Sequence, residues 1–222
     1  MYYLFVDESW HPEQFRVSGI IVPQGRYTDA IKTVTLQSVR NRLTAIGVFL
    51  GRTNGLGLIV EVDLNESKLT EKANDSYSDV KRVSRRDNLW SWVIVRTIEA
   101  AVIRLERVKG EIISTVDIYH DRKELTGDHR NVLYEHIKNE TPRVFKKLYQ
   151  TRGATRLRNV SVRRINEIGK ATPMEEPNKF QRGVELADTL LRQGDFHRSQ
   201  NIEIMNITGH VHEIAREDGI LR

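Results

Sequence analysis

The sequence predicts an α/β fold in which a mixed five-stranded sheet, with its first strands antiparallel, is flanked by helices. Five short runs of β-branched and aromatic residues alternate with longer stretches of helical periodicity. A short connection joins the first two runs, which favours an antiparallel hairpin. With 222 residues the chain can bury one sizeable core, so we expect a single domain over residues 1–222.

The opening run, residues 1–9, is the most informative predicted strand. Large apolar residues occupy both of its faces, as in a central strand covered on both sides. The run ends in Asp7 and Glu8, and burying a carboxylate is costly unless it is paired or binds a metal. Asp7 can also serve simply as the cap of the following turn. The other predicted strands are residues 15–22, 56–64, 111–119 and 157–165.

Helical periodicity predicts the elements between these strands. One helix begins at Thr28 or Asp29 and ends at Gly51. The main core helix begins near Asp87 and ends near Gly110, because a wide apolar stripe is followed by basic residues and a glycine. Further helices are predicted at 128–138 and 180–192. The polar stretch 65–86 predicts an insertion or lid, and residues 201–222 predict a C-terminal strap, either helical or irregular.

The composition limits the classes of protein and partner. The 35 basic and 30 acidic residues give a net charge of +5, which allows an anionic partner without requiring one. A run of charge is usually a solvated face, but two basic runs favour RNA or DNA as a partner. The basic residues of these runs are Lys81, Arg82, Arg85 and Arg86 in the first, and Arg152, Arg156, Arg158, Arg163 and Arg164 in the second.

Two features that the sequence lacks limit the predicted cellular location. There is no cysteine, which excludes disulfides, cysteine catalysis and thiolate metal sites and fits a reducing cytoplasm. No apolar run approaches the roughly 20 residues that span a bilayer, so we expect no membrane partner. We therefore expect a cytoplasmic protein, and the sequence leaves a homodimer open.

Carboxylates fall where the predicted elements end. Asp7 and Glu8 follow the first strand, Asp117 and Asp121 lie in or just after the fourth, and a helix near the end of the chain carries two more, Glu185 and Asp188. Acidic groups that converge from distant segments repel one another unless a cation lies among them. Mg²⁺ and Mn²⁺ prefer such all-oxygen surroundings and catalyse phosphodiester cleavage in two-metal sites.

Three motifs in order along the chain resemble those of the domain family known as DUF 3800. Members open with a hydrophobic strand and Asp-Glu-Ser-Gly; here Phe5-Val-Asp-Glu-Ser9 leads to a second strand ending in Gly19-Ile-Ile-Val22. A middle aspartate followed by a basic residue corresponds to Tyr119-His-Asp-Arg122. A late helix of the type Gly-(apolar)-Gln-Leu-Ala-Asp corresponds to Gly183-Val-Glu-Leu-Ala-Asp188. The family resembles the ribonuclease H-like superfamily and often occurs near mobile elements and phage-defence genes.

The resemblance implies roles for particular residues. Asp7 matches the first metal ligand and Glu8 the adjacent acid. Asp121 matches the middle ligand, with Asp117 as the nearby alternative, and Asp188 matches the last. A further glutamate corresponds to Glu61 or Glu66. Two positions depart from the family pattern: Trp10 replaces a glycine, and Glu185, which either adds a ligand or faces solvent, replaces a glutamine.

Two functions follow as expectations. The first is a nuclease that uses Mg²⁺ or Mn²⁺ to cleave phosphodiester bonds in RNA or DNA, with Asp7, Asp121 and Asp188 holding the metal and Glu61 or Glu185 completing the site. The second is a catalytically inactive module on the same fold, for binding nucleic acid or protein; Trp10 favours it. His120 is a candidate proton donor or acceptor, or simply faces the other side of its strand.

Overall fold

The computed structural model describes residues 1–34, 42–65, 84–110, 112–121, 127–151, 159–168, 176–192 and 201–206. Over these ranges the chain forms an α/β fold with a mixed sheet between two layers of helices, which confirms the predicted fold class. No helix within the described ranges is both long and apolar enough to cross a membrane.

Within the described ranges, the sheet contains the five predicted strands and one more. The strands are β1 (Tyr2–Trp10), β2 (Gln14–Pro23), β3 (Leu56–Asp63), β4 (Thr115–Asp121), β5 (Ser161–Ile168) and β6 (Ile202–Asn206). Their order across the sheet is β5-β4-β1-β2-β3-β6. β1 and β2 are antiparallel, as predicted, and so are β2 and β3. The pairs β1–β4, β4–β5 and β3–β6 are parallel. β1 is a central strand of the sheet, between β4 and β2.

The start of the C-terminal segment differs from the prediction. A helix or irregular strap over 201–222 is wrong for Ile202–Asn206, which form β6 beside β3. Ile202 is buried in the core, whereas Ile204, two residues further along the same face of the strand, is exposed. Residues 207–222 lie outside the described residues.

Five helices are present in the described part of the chain. They are α1 (Gln24–Lys32), α2 (Arg42–Thr53), α3 (Arg85–Lys109), α4 (Gly127–Thr151) and α5 (Lys179–Arg192). The single helix predicted from 28 to 51 is wrong, because α1 ends at Lys32 and a separate helix begins at Arg42. The β-branched residues Thr33 and Val34 disfavour continuation, and the hydroxyl of Thr33 donates to the carbonyl of Ala30.

α3 has the boundaries that its sequence predicts to within two residues. The Ser84 side chain accepts a hydrogen bond from the Asp87 amide, a standard N-terminal cap. Gly110 ends the helix with a φ of 62°, a left-handed conformation that favours glycine. The helix includes Arg85 and Arg86, the last residues of the predicted insertion, and residues 66–83 of that insertion lie outside the described residues.

Each face of the sheet has its own hydrophobic core. On one face, Leu4 and Val6 of β1 pack with α3 and α4. On the other, Tyr3 and Phe5 pack with α1, α2 and α5. Neighbouring residues of a strand point to opposite faces, so Asp7 continues the second set and Glu8 the first.

α5 makes a close approach to the central strand. A Cβ added to Gly183 would lie 2.4 Å from ring carbons of Phe5, a distance that no side chain can adopt. One turn later, the buried Ser18 hydroxyl of β2 donates a 2.8 Å hydrogen bond to the carbonyl of Ala187. These contacts place the next residue, Asp188, over the end of β1.

We expect Gly183→Ala to lower the free energy of unfolding by about 1–3 kcal/mol, because Phe5 is fully buried and has no room to move away. Urea denaturation measures the change. Gly47→Ala is the matched control: it is also a helical glycine, but its added Cβ meets no atom within 4 Å. Gly47→Ala should leave the free energy of unfolding unchanged or raise it by up to about 1 kcal/mol. Equal effects of the two substitutions would contradict the close packing of α5 on β1.

Candidate functional site

The side chains of Asp7 and Asp188 meet at the end of β1. Asp7 is 9% exposed and points towards α5, where its carboxyl hydrogen-bonds to that of Asp188. A hydrogen bond between two carboxyl groups requires a proton on one of them. This acid pair, Asp7 and Asp188, therefore joins an early strand to a late helix.

The surroundings raise the pKa of Asp7 from 3.8 to about 7. Burial is the largest cause, and the hydrogen bond to Asp188 is the next; the charges of Asp188 and Glu8 also raise the pKa, against a lowering by the backbone hydrogen bond at Glu8. Asp188 is more exposed, and its Oδ1 accepts a 2.9 Å hydrogen bond from Nε of Arg192 one turn along the helix. Below about pH 7 a proton therefore resides on Asp7.

Asp121 ends the strand next to Asp7. β1 and β4 are parallel and in register up to Val6 and His120, so the residues that follow are Asp7 and Asp121. Tyr119 packs in the core beneath α5, and residues two apart share a face, so Asp121 is on the same side as Asp7. Within the described ranges, however, no three side chains of His, Cys, Asp or Glu are arranged to hold a metal ion.

The candidate glutamates differ in their surroundings. Glu61 of β3 forms a 2.7 Å ion pair with Arg16 of β2, on the same face of the sheet as Asp7. Glu185 is exposed to solvent on α5. Glu66 lies outside the described residues. Of the glutamates proposed to complete the site, Glu61 is thus the one held on the face of the acid pair.

Glu8 lies on the other side of the sheet from Asp7. Its Oε2 accepts a 2.9 Å hydrogen bond from the indole Nε1 of Trp90 in α3. Trp10 is on that side as well, where it stacks on Phe15 with ring centroids 3.7 Å apart. The guanidinium of Arg86, in the first turn of α3, lies 4.4 Å from the centroid of the Trp10 ring. Trp10 therefore packs behind the acid pair and does not cover it.

Asp117 belongs to a different contact. It is 1% exposed and lies beside Tyr3, four residues before Asp121 on β4. Arg163 of β5 binds both of its carboxylate oxygens, with 2.9 Å from Nε to Oδ1. This ion pair separates Asp117 from the acid pair at the strand end.

The predicted nucleic-acid-binding arginines fall in two described places. Arg85 and Arg86 begin α3 and are exposed, as are Arg163 and Arg164 on the edge strand β5. Arg82 and Arg158 lie outside the described residues.

His120 faces away from the acid pair and is fully buried. Its Nδ1 lies 2.6 Å from the carbonyl of Asp121, and its Nε2 lies 2.6 Å from the hydroxyl of Tyr134. A carbonyl can only accept, so Nδ1 carries the proton and Nε2 accepts from the tyrosine. His120 thus holds the backbone of Asp121 from behind.

Three residues around the acid pair are not apparent as site residues in the sequence. Arg192 follows Asp188 by four residues, a helical spacing that predicts a contact and could have identified it. Arg16 and Ser18 lie on β2, and only the hairpin register places Arg16 across from Ser9 and Ser18 across from Asp7. Neither Arg16 nor Ser18 belongs to a sequence motif that would identify it as a site residue.

No protein-family model and no curated protein matches this chain. The resemblance to DUF 3800 therefore rests on the three motifs and their order.

The acid pair predicts a pH-dependent stability in metal-free protein. Because the folded-state pKa of Asp7 is raised, its stabilising contribution is complete below about pH 4 and is lost as the pH rises through about 7. We expect Asp7→Asn to be more stable than the wild type at pH 8, by about 2–4 kcal/mol, and to approach it near pH 4. Urea unfolding in EDTA across this range measures the difference.

Asp29→Asn is the control for that measurement, because the Asp29 side chain is 91% exposed on α1. It should keep the slope of the wild-type profile. A variant Asp7→Asn that is less stable than the wild type at pH 8 would contradict the raised pKa of Asp7.

Proposed function

We propose that this chain is a ribonuclease H-like nuclease that uses Mg²⁺ or Mn²⁺ to cleave phosphodiester bonds in RNA or DNA. The observation that carries the proposal is the contact between the carboxyl groups of Asp7 and Asp188. Two acids from opposite ends of the chain meet at the carboxyl end of a central strand, where α/β folds gather their functional groups.

The fold and the motifs support the same proposal. The sheet is mixed, its first strands are antiparallel, and helices cover both faces. The three motifs that resemble DUF 3800 supply Asp7, Asp121 and Asp188. The parallel register places Asp121 next to Asp7, and α5 carries Asp188 to the same strand end.

The residues present fit a divalent cation in their chemistry. Carboxylate oxygens are the ligands that Mg²⁺ and Mn²⁺ prefer. The proton shared by the pair relieves the repulsion between two acids, and a cation can replace it. Asp7 and Asp188 would hold the metal, with Asp121 as the third ligand. When bound, the metal would activate a water molecule and stabilise the leaving oxygen of the phosphodiester.

The chain's own residues prepare this site. Ser18 ties α5 to the sheet beside Asp7, which keeps the two carboxyl groups together. Arg192 orients Asp188 through its 2.9 Å hydrogen bond. Arg16 holds Glu61 on the same face, where the carboxylate can orient water and the guanidinium can attract a phosphate.

Cutting by the wild type should depend on added Mn²⁺. We expect Asp7→Asn and Asp188→Asn each to lower the rate by at least about a hundredfold, because each removes one charged ligand of the metal. Cleavage of labelled RNA, DNA and hybrid substrates on a gel measures the rate. Asp29→Asn, an exposed aspartate on α1, should cut as the wild type does. The proposal fails if the wild type cuts none of the three substrates.

A specific observation favours the alternative, a module that binds nucleic acid or protein without catalysis. Arg192 already offsets the charge of Asp188, Arg16 offsets that of Glu61, and no three-residue metal group is preformed in the described ranges. Calorimetric titration with Mn²⁺ separates the two functions. Binding that Asp188→Asn abolishes supports the nuclease, and no binding at millimolar Mn²⁺ supports the module.

A further inference from the structure

A β-bulge interrupts the pairing of β4 with the edge strand β5. Val116 lies beside Val162, but the next residue, Asp117, lies beside Arg164. Arg163 is therefore an extra residue on β5. Such a bulge changes the face to which the following side chains point.

The bulge places two consecutive arginines on one face. Val162 packs in the core beneath α3 and α4, so Arg163 points to the α5 side, where it meets Asp117. After the bulge, Ile165 packs on the α3 side again, so Arg164 also points to the α5 side. In a regular strand the two arginines would point in opposite directions.

The two guanidinium groups are not equivalent. Arg163 is held in place by the nearly inaccessible carboxylate of Asp117, through Nε and Nη2. Its side chain is nevertheless 44% exposed, and Nη1 remains for a ligand. Asp117 offsets one positive charge, so the pair of arginines retains a net charge of about +1.

Tyr119 adds a hydroxyl to the same face of the sheet. This hydroxyl interacts electrostatically with both guanidinium groups, so Arg163 and Arg164 lie on its side of the sheet.

We propose that Arg163 and Arg164 form a phosphate-binding site, defined here as the arginine pair, for the nucleic-acid strand that the acid pair cuts. Arginine forks match phosphate oxygens, and an arginine fixed by a buried carboxylate loses little further freedom on binding. Contacts of this kind position a strand without reading its sequence. The inference rests on the proposed function, since it assigns the substrate strand of that same site.

The position of the arginine pair suits one continuous nucleic-acid strand that also reaches the acid pair. β5 is two strands from β1, or about 10 Å, and Asp117 pairs with Tyr3, four residues or about 13 Å before Asp7. The acid pair and the arginine pair are thus about 16 Å apart on one face of the sheet. Measured along the axis of a duplex, at 3.4 Å per step, that distance corresponds to about five base pairs.

The test is nucleic-acid binding without cleavage. Fluorescence anisotropy with labelled RNA and DNA oligonucleotides, in EDTA, compares the wild type with Arg164→Gln over a series of salt concentrations. We expect the variant to bind about 3- to 10-fold more weakly at low salt, and the slope of log affinity against log salt to fall by about one. Arg164→Lys, which keeps the charge, should recover most of the affinity.

Arg143→Gln is the matched control, because Arg143 is also an exposed arginine but lies on α4, on the other side of the sheet. It should bind as the wild type does. Arg164 is exposed, so its substitution should leave urea unfolding unchanged, which excludes a folding defect. If Arg164→Gln matches the wild type in affinity and salt slope, or if the wild type binds no oligonucleotide, the arginine pair is not a phosphate site.

The two proposals fail separately in this design. Binding that depends on Arg164, in a protein that cuts nothing with Mn²⁺, leaves the arginine pair standing and removes the nuclease. If the protein cuts nucleic acid with Mn²⁺ but Arg164→Gln binds as the wild type does, the nuclease stands and the arginine pair is not a phosphate site.

Discussion

The close packing of α5 on β1 is the constraint on which the candidate site depends. Gly183 lies directly against the ring of Phe5, and Ser18 donates to the carbonyl of Ala187. With these two contacts in place, Asp188 has little freedom and meets Asp7. A side chain at position 183 would lift the helix from the sheet and separate the two carboxyl groups.

The structure accommodates buried carboxylates in two ways. Asp117 is almost inaccessible, and Arg163 binds both of its carboxylate oxygens. Asp7 is buried beside an acid instead, and its burial, followed by the contact with Asp188, raises its pKa to about 7. The first arrangement is a satisfied ion pair. The second remains unfavourable as a pair of anions, so a proton or a metal ion stabilises it.

The two faces of the sheet carry different groups of residues at the strand ends. On the α5 face lie the acid pair, Asp121 and the arginine pair. On the α3 face, Glu8 accepts from Trp90 and His120 holds the carbonyl of Asp121. The residues behind the sheet therefore support the strand ends, and those in front form the proposed site.

The sequence by itself determined the α/β class, the antiparallel opening strands, the approximate positions of five strands and the limits of α3, because apolar periodicity and capping residues are local signals. It also selected Asp7, Asp121 and Asp188 as acids at the ends of elements. Only the tertiary structure decided that Asp7 and Asp188 touch, that Glu8 faces away and that a bulge aligns Arg163 with Arg164. These outcomes depend on the register and packing of segments far apart in the chain, and no local pattern encodes a register.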